Sequence, residues 1–141
     1  MTVNSSTSVI ATIVAYYPDL ETLAAFLPVL FPQVDHVIVL DNSPSSNLDE
    51  WAASNFPGYV LTVNTPGENL GVAAGHNVCI RLAKELGASH VITFDQDSVP
   101  DANLVSDLLD GLKALQNKGI NVAAVGPKVV DPLVLKSLQT I

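Results

Sequence analysis

Two aspartates one residue apart, Asp95 and Asp97, follow the apolar run Val91-Ile92-Thr93-Phe94. On an extended segment residues i and i+2 point to the same side, so the two carboxylates face together while Gln96 turns away. Such a pair can share a hard divalent cation, and magnesium or manganese held that way can hold substrate phosphates in turn. In a chain with 14 Asp+Glu against 6 Lys+Arg and a net charge of −8, an ion of this kind would offset the repulsion of a phosphate. The ordinary alternative is a strand-end turn in which Asp97 or Ser98 caps the following helix. The preceding apolar run weighs toward chemistry, because it sets the carboxylates at the carboxyl end of a buried strand.

Asp41 directly follows Val37-Ile38-Val39-Leu40. A carboxylate there could accept a hydrogen bond from a base N–H or a ribose hydroxyl; taken alone, an Asx-turn with Ser43 is the better account. The run Asn69-Leu70-Gly71-Val72-Ala73-Ala74-Gly75-His76-Asn77 opens a helix with small residues. Free N–H groups at a helix start can receive an anion, and Gly71 and Gly75 permit close backbone approach. It is neither a GxGxxG fingerprint nor a P-loop, and Glu68 beside it would repel a bare phosphate. The alternative is a small-residue face packed tightly on a sheet. His76 and Asn77 are within reach of a ligand there, although a lone His more often packs. Cys79 faces the core and has no chemistry assigned; Trp51 and Phe56 cover the sheet. No G-x-S-x-G context exists for a serine triad.

The elements that must position these residues alternate between strand and helix. The apolar runs Val9–Tyr16, Val37–Leu40, Tyr59–Asn64, His90–Phe94 and Ile120–Val125 read as buried strands. Helices are expected over Asp19–Leu30, with Asp19 as N-cap and Pro28 kinking or ending it, and over Asn47–Asn55. Two more are expected over Gly71–Leu86, closed by Gly87, and Asp101–Lys118, closed by Gly119. Thr2–Ser8 reads as a flexible terminus, residues 9–131 as one domain, and the tail 132–141 has no clear assignment. This alternation indicates an α/β, Rossmann-like, mostly parallel sheet with helices on both faces. Such sheets bind ligands beyond the carboxyl ends of strands, where the strand order reverses. The polar loops Tyr17-Pro18-Asp19, Asp41-Asn42-Ser43, Glu68-Asn69 and Asp95-Gln96-Asp97 would assemble one site there.

Composition removes other classes. The chain has 141 residues, 48% hydrophobic and 14% charged, enough apolar residues for a core and against disorder. Its acidity leaves no basic footprint for nucleic acid or anionic lipid. One cysteine permits no internal disulfide, and no Cys/His cluster offers a zinc site. No apolar run approaches the roughly 20 residues of a membrane span, and no basic leader precedes the first apolar run, so a cytoplasmic chain is expected.

In order and spacing, VIATIVAYYPD (9–19), HVIVLDNS (36–43), ENLGVAAGHNVCI (68–80) and VITFDQDS (91–98) resemble an inverting family 2 glycosyltransferase of the GT-A fold. The Tyr16-Tyr17-Pro18 and Asp95-Gln96-Asp97-Ser98 variants are most similar to its rhamnosyltransferase branch, which implies a dTDP-rhamnose donor within the wider expectation of a dTDP- or UDP-linked sugar. The resemblance implies that Ala15, Tyr16 and Tyr17 line the base pocket and that Asp41 contacts the base. It places Asn69, Gly71, His76 and Asn77 in the motif shaping the donor cleft, with Asp95 and Gln96 near the ribose or sugar. Asp97, with Asp95, would bind the manganese or magnesium ion bridging the diphosphate. The reaction implied is direct displacement at the anomeric carbon. The metal stabilises the departing nucleoside diphosphate, and a base deprotonates the hydroxyl of a glycan or lipid-linked acceptor.

The family keeps that base in a C-terminal half. The later carboxylates Asp101, Asp107, Asp110 and Asp131 sit in no recognisable base motif. The expectation is therefore a donor-binding half, with no catalytic base in this chain and self-association through apolar surface left by the cut. Peripheral attachment at the inner membrane face is expected only of a full-length enzyme. Two rival readings remain: a haloacid-dehalogenase-type phosphatase, with Asp95 attacking phosphorus and Asp97 as acid/base, and a non-catalytic nucleotide-binding domain. The phosphatase motif normally opens its fold, whereas three expected strands precede Asp95 here, and the next expected strand ends in Gly126-Pro127 rather than the needed Ser/Thr.

Overall fold

A computed structural model describes residues 7–128. The expected flexible segment 2–6, the tail 132–141 and Asp131 lie outside the described residues. Two compact units divide after Ala102. The first runs β1 (Val9–Ala15), α1 (Leu20–Leu30), β2 (His36–Asp41), α2 (Leu48–Asn55), β3 (Leu61–Asn64), α3 (Val72–Glu85) and β4 (His90–Asp95). The second contains α4 (Leu104–Asn117).

β1 and β2 are strands because their Val, Ile and Leu side chains fill both faces of a covered sheet; all of β1 except the half-buried Val14 is buried. The four strands pair in parallel in the order β3-β2-β1-β4. The chain thus moves outward from β1 to β3, then crosses back to the other side of β1. Right-handed crossovers require the returning helix to lie on the opposite face, and it does. α3 packs Cys79 and Ala83 onto Ile10, Ile38 and Leu40. On the other face Phe26 of α1 meets Phe94 of β4 edge-to-face at 5.4 Å, and α2 lies beside Leu61 and Val63 of β3. Burying side chains such as Ile13 or Leu27 contributes roughly 1.5–3 kcal/mol each, and truncating either to Ala would cost about 2–5 kcal/mol.

Local chemistry sets the helix ends. Asp19 caps α1, accepting the Thr22 N–H at 3.0 Å, and its carboxyl lies below the ordinary range through the Thr22 hydroxyl and N–H. Pro28 does not break α1; the helix runs to Leu30 and passes into a 3-10 turn, Phe31–Gln33, where Gln33 Nε2 donates to Val29 O at 2.8 Å. α3 and α4 both end in Schellman closures. Ala88 N–H reaches Ala83 O at 3.0 Å and Ile120 N–H reaches Leu115 O at 3.2 Å, around Gly87 (φ 82°) and Gly119 (φ 76°).

Two expectations fail in the second unit. The expected strand Ile120–Val125 is absent: the Ile120 N–H closes α4, and apolar residues make a strand only where a ladder partner exists. α4 also begins at Leu104 rather than Asp101, after a turn at residues 102–103 and with Asn103 at its N-cap. Asp97 and Ser98 consequently cap no helix.

Candidate functional site

The strand order reverses at β1, so the crevice between the carboxyl ends of β1 and β4 is the place where a ligand of this sheet would bind. The loop after β1 supplies Tyr16 and Tyr17, both exposed, their rings edge-to-face at 4.7 Å and 69°. Tyr17 has φ 41°, a left-handed conformation that bulky side chains seldom adopt. Ser43 Oγ accepts the Tyr17 N–H at 2.7 Å. From the opposite side Gln96 Oε1 accepts the Tyr16 N–H at 2.7 Å, and Gln96 Nε2 donates to the Tyr16 carbonyl at 3.4 Å. Ala15 is fully buried, and its carbonyl accepts the Asn42 N–H at 2.8 Å; its side chain has no surface to offer a base.

The loop after β2 is buried. Asp41 Oδ1 accepts the Ser43 N–H at 2.9 Å, the Asx-turn that Asp-Asn-Ser favours. Asp41 Oδ2 is buried without a hydrogen-bond partner, and such an acceptor calls for an explanation. Asn42 bridges to the start of α3: its Oδ1 accepts the Leu70 N–H at 3.2 Å and its Nδ2 donates to the Gly71 carbonyl at 3.3 Å. Asn69 Oδ1 accepts the Gly71 N–H at 2.8 Å, and Gly71 (φ 79°) holds a backbone angle that would strain any other residue. Gly75 serves packing: a Cβ there would lie 3.0 Å from both Val14 methyls. His76 is half-buried with Nδ1 3.5 Å from the Thr12 hydroxyl, so it leans on the sheet, while Asn77 is exposed. Burial pushes the Cys79 thiol up to about 11; it stays protonated at neutral pH and has no part in the site.

At β4 the strand ends with Asp95 and turns immediately, the Ser98 N–H reaching Asp95 O at 3.1 Å. Asp95 and Asp97 therefore do not form an extended same-side pair, because Asp97 sits in the turn. Both carboxylates are exposed. Among the described residues no group of three or more His, Cys, Asp or Glu converges as a metal cage. This donor set fits an ion held by one or two carboxylates plus phosphate oxygens, the usual habit of magnesium, better than an all-protein site. The sequence pointed to Asn42 and Ser43 only as members of a polar loop, with Ser43 in an Asx-turn, and not as the two side chains that tie the loops together. Their only signal was position, directly after a buried strand.

No family model matches the chain. A dTDP-rhamnosyl transferase, RfbF of Shigella flexneri, is 34% identical over 93 residues, 66% of this chain and 30% of that protein. An uncharacterized protein of Mycobacterium tuberculosis is 46% identical over 48 residues, 34% of this chain and 18% of that one. The chain thus spans less than a third of the curated relatives it matches. Among solved structures, S. aureus TarS superposes with TM-score 0.58 at 18% identity over 89% of this chain and 23% of TarS. The chain has a GT-A glycosyltransferase-like fold. A 4-diphosphocytidyl-2C-methyl-D-erythritol synthase shares it at TM-score 0.56 and 18% identity, over 74% of this chain and 54% of that one. Among the described residues Asp95 ends the fourth strand of this GT-A sheet, paired with β1, not the opening strand that the phosphatase reading needs. Among the described residues no helix is long and apolar enough to cross a membrane.

Proposed function

We propose that this chain is the donor-binding half of an inverting, family 2-like glycosyltransferase that takes a nucleoside-diphospho-sugar, with dTDP-rhamnose as its donor. The observation that carries the reading is the gathering, at the reversal point of a GT-A sheet, of an exposed tyrosine pair and an acidic turn cross-linked by Gln96. The dTDP-rhamnosyl transferase relative supports the choice of donor. Tyr16 and Tyr17 offer aromatic faces to a base. Asp41 Oδ2 is an unsatisfied acceptor suited to a base N–H; because it is buried, the base must displace what covers it. Asp97, assisted by Asp95, would hold a manganese or magnesium ion, which when bound would supply positive charge to offset that of the diphosphate leaving group. The acceptor, a glycan or lipid-linked hydroxyl, is met by parts of a longer enzyme working in the cytoplasm at the inner membrane face.

Calorimetric titration with dTDP, UDP and GDP, each with and without manganese, tests the reading. One diphosphate, dTDP, should bind in a manganese-dependent way. Asp97→Ala should lower that affinity on the order of 100-fold, since a lost charged contact costs roughly 1.5–3 kcal/mol. Absence of binding by every diphosphate under both conditions would sink the proposal.

A further inference from the structure

The residue between the two aspartates does something that neither of them does. Gln96 lies half-buried in the turn after β4, yet its side-chain amide reaches across the reversal point to the main chain of Tyr16, 80 residues earlier. It makes both bonds that a peptide group can make, accepting the N–H at 2.7 Å and donating to the carbonyl at 3.4 Å. In effect it adds one rung of sheet pairing beyond the last ladder partners of β1 and β4, Val14 and Asp95. The next residue, Tyr17, sits at φ 41° and is tied to Ser43 on the β2 side. A bulky residue in that region persists only where its surroundings over-determine it. Here the main chain of the pair is held from both flanks, by Gln96 and by Ser43, while the rings remain exposed.

We propose that Gln96 is a positioning residue: it fixes the Tyr16 main chain so that the Tyr16–Tyr17 pair is presented, pre-arranged, to the nucleobase, and it acts through the tyrosines without touching the ligand. The inference rests on the donor-binding reading. It assigns Gln96 to base recognition, although its neighbours Asp95 and Asp97 serve the diphosphate end. Pre-ordering a loop raises affinity by removing an ordering cost from the binding step, so the loss of Gln96 should be felt by the nucleoside and not by the metal–phosphate half.

The test separates those halves. The chain, Gln96→Ala and Gln96→Glu are titrated with thymidine alone and with manganese plus inorganic pyrophosphate, and amide hydrogen exchange at Tyr16 and Tyr17 is followed by NMR without ligand. Gln96→Ala should bind thymidine about 10-fold more weakly, keep manganese–pyrophosphate affinity within about 2-fold, and exchange the Tyr16 amide at least about 10-fold faster. Gln96→Glu keeps the oxygen that accepts the Tyr16 N–H and should restore both thymidine binding and slow exchange. Unchanged Tyr16 exchange in Gln96→Ala overturns the clamp, whatever binds. Equal loss of thymidine and pyrophosphate binding overturns action through the tyrosines. A wild-type chain that binds neither probe overturns the donor reading itself and the platform role with it, an outcome distinguishable from clamp failure because the exchange is read without ligand.

Discussion

Two strand ends in this molecule are written almost alike. His36-Val37-Ile38-Val39-Leu40-Asp41-Asn42-Ser43 ends β2, and His90-Val91-Ile92-Thr93-Phe94-Asp95-Gln96-Asp97-Ser98 ends β4. Their fates are opposite: Asp41, Asn42 and Ser43 are buried, whereas Asp95 and Asp97 are exposed. The neighbours account for it. Among the described residues β2 lies between β1 and β3, while β4 pairs with β1 alone. A buried strand end must meet its polar atoms from within: Ser43 Oγ accepts the Tyr17 N–H and Asn42 bonds the start of α3, while Asp41 Oδ2 is left without a partner. The β4 end leaves Asp95 and Asp97 exposed, where charge is cheap to keep and free to meet an ion. The same local pattern thus yields a structural joint in one place and a candidate ligand seat in the other.

The contrast can be broken by mutation. Its largest consequence for stability lies at Asn42: removing its amide in Asn42→Ala strands the Leu70 N–H and the Gly71 carbonyl. Urea unfolding should show a loss of about 2–3 kcal/mol, while Asp97→Ala should stay within about 0.5 kcal/mol of the parent chain. Equal losses at the two sites would erase the distinction. A smaller effect is expected from Asp41→Asn, which keeps the oxygen that accepts the Ser43 N–H and removes a buried charge. Stability should be unchanged or higher by up to about 1 kcal/mol, yet thymidine should bind about 10-fold more weakly, because a donor now occupies the place of the unsatisfied acceptor. Weakened folding with intact binding would assign Asp41 to structure alone.

The smallest effect concerns the residue that heads β2. Burial holds the His36 imidazole below its ordinary 6.5, so the unfolded chain takes up this proton at a higher pH than the folded one. Stability from this group is complete above pH 6.5 and is lost as pH falls below it through the lowered folded value. In His36→Gln, which can still bond the Thr62 hydroxyl that His36 Nε2 meets at 2.8 Å, the slope of unfolding free energy against pH between 5 and 6.5 should flatten. An unchanged slope would show that the burial of His36 is immaterial.

Much of the site was legible because its loops follow apolar runs. Tyr17, Asp41, Asn69, Gly71, Asp95 and Asp97 were picked out by position after a strand or before a helix, and Tyr16 by the family resemblance; the structure sets them at the carboxyl ends of β1, β2 and β4 and the start of α3. What the pattern concealed was the use of each side chain. Gly75 looked like a backbone approach to a ligand and proves to be a contact with Val14 and Leu40. Gln96 looked like a spacer between carboxylates and bonds the Tyr16 main chain instead. The strand expected at Ile120–Val125 failed because hydrophobic composition carries no information about whether a ladder partner exists.

The existence of the helices, the Asp19 cap, the two Schellman closures and the parallel α/β class were determined by the sequence itself, because they depend on residues a few positions apart: Asp19 with Thr22, Gly87 with Ala83 and Lys84, apolar stripes at helical spacing. Only the tertiary structure decided the order β3-β2-β1-β4, which of two like strand ends lies inside, and which chain the Gln96 amide binds. Those outcomes rest on pairings between residues as far as 81 positions apart, such as Val9 with His90. They are set by competition among whole strands for neighbours and for burial, a quantity that no local window of residues contains.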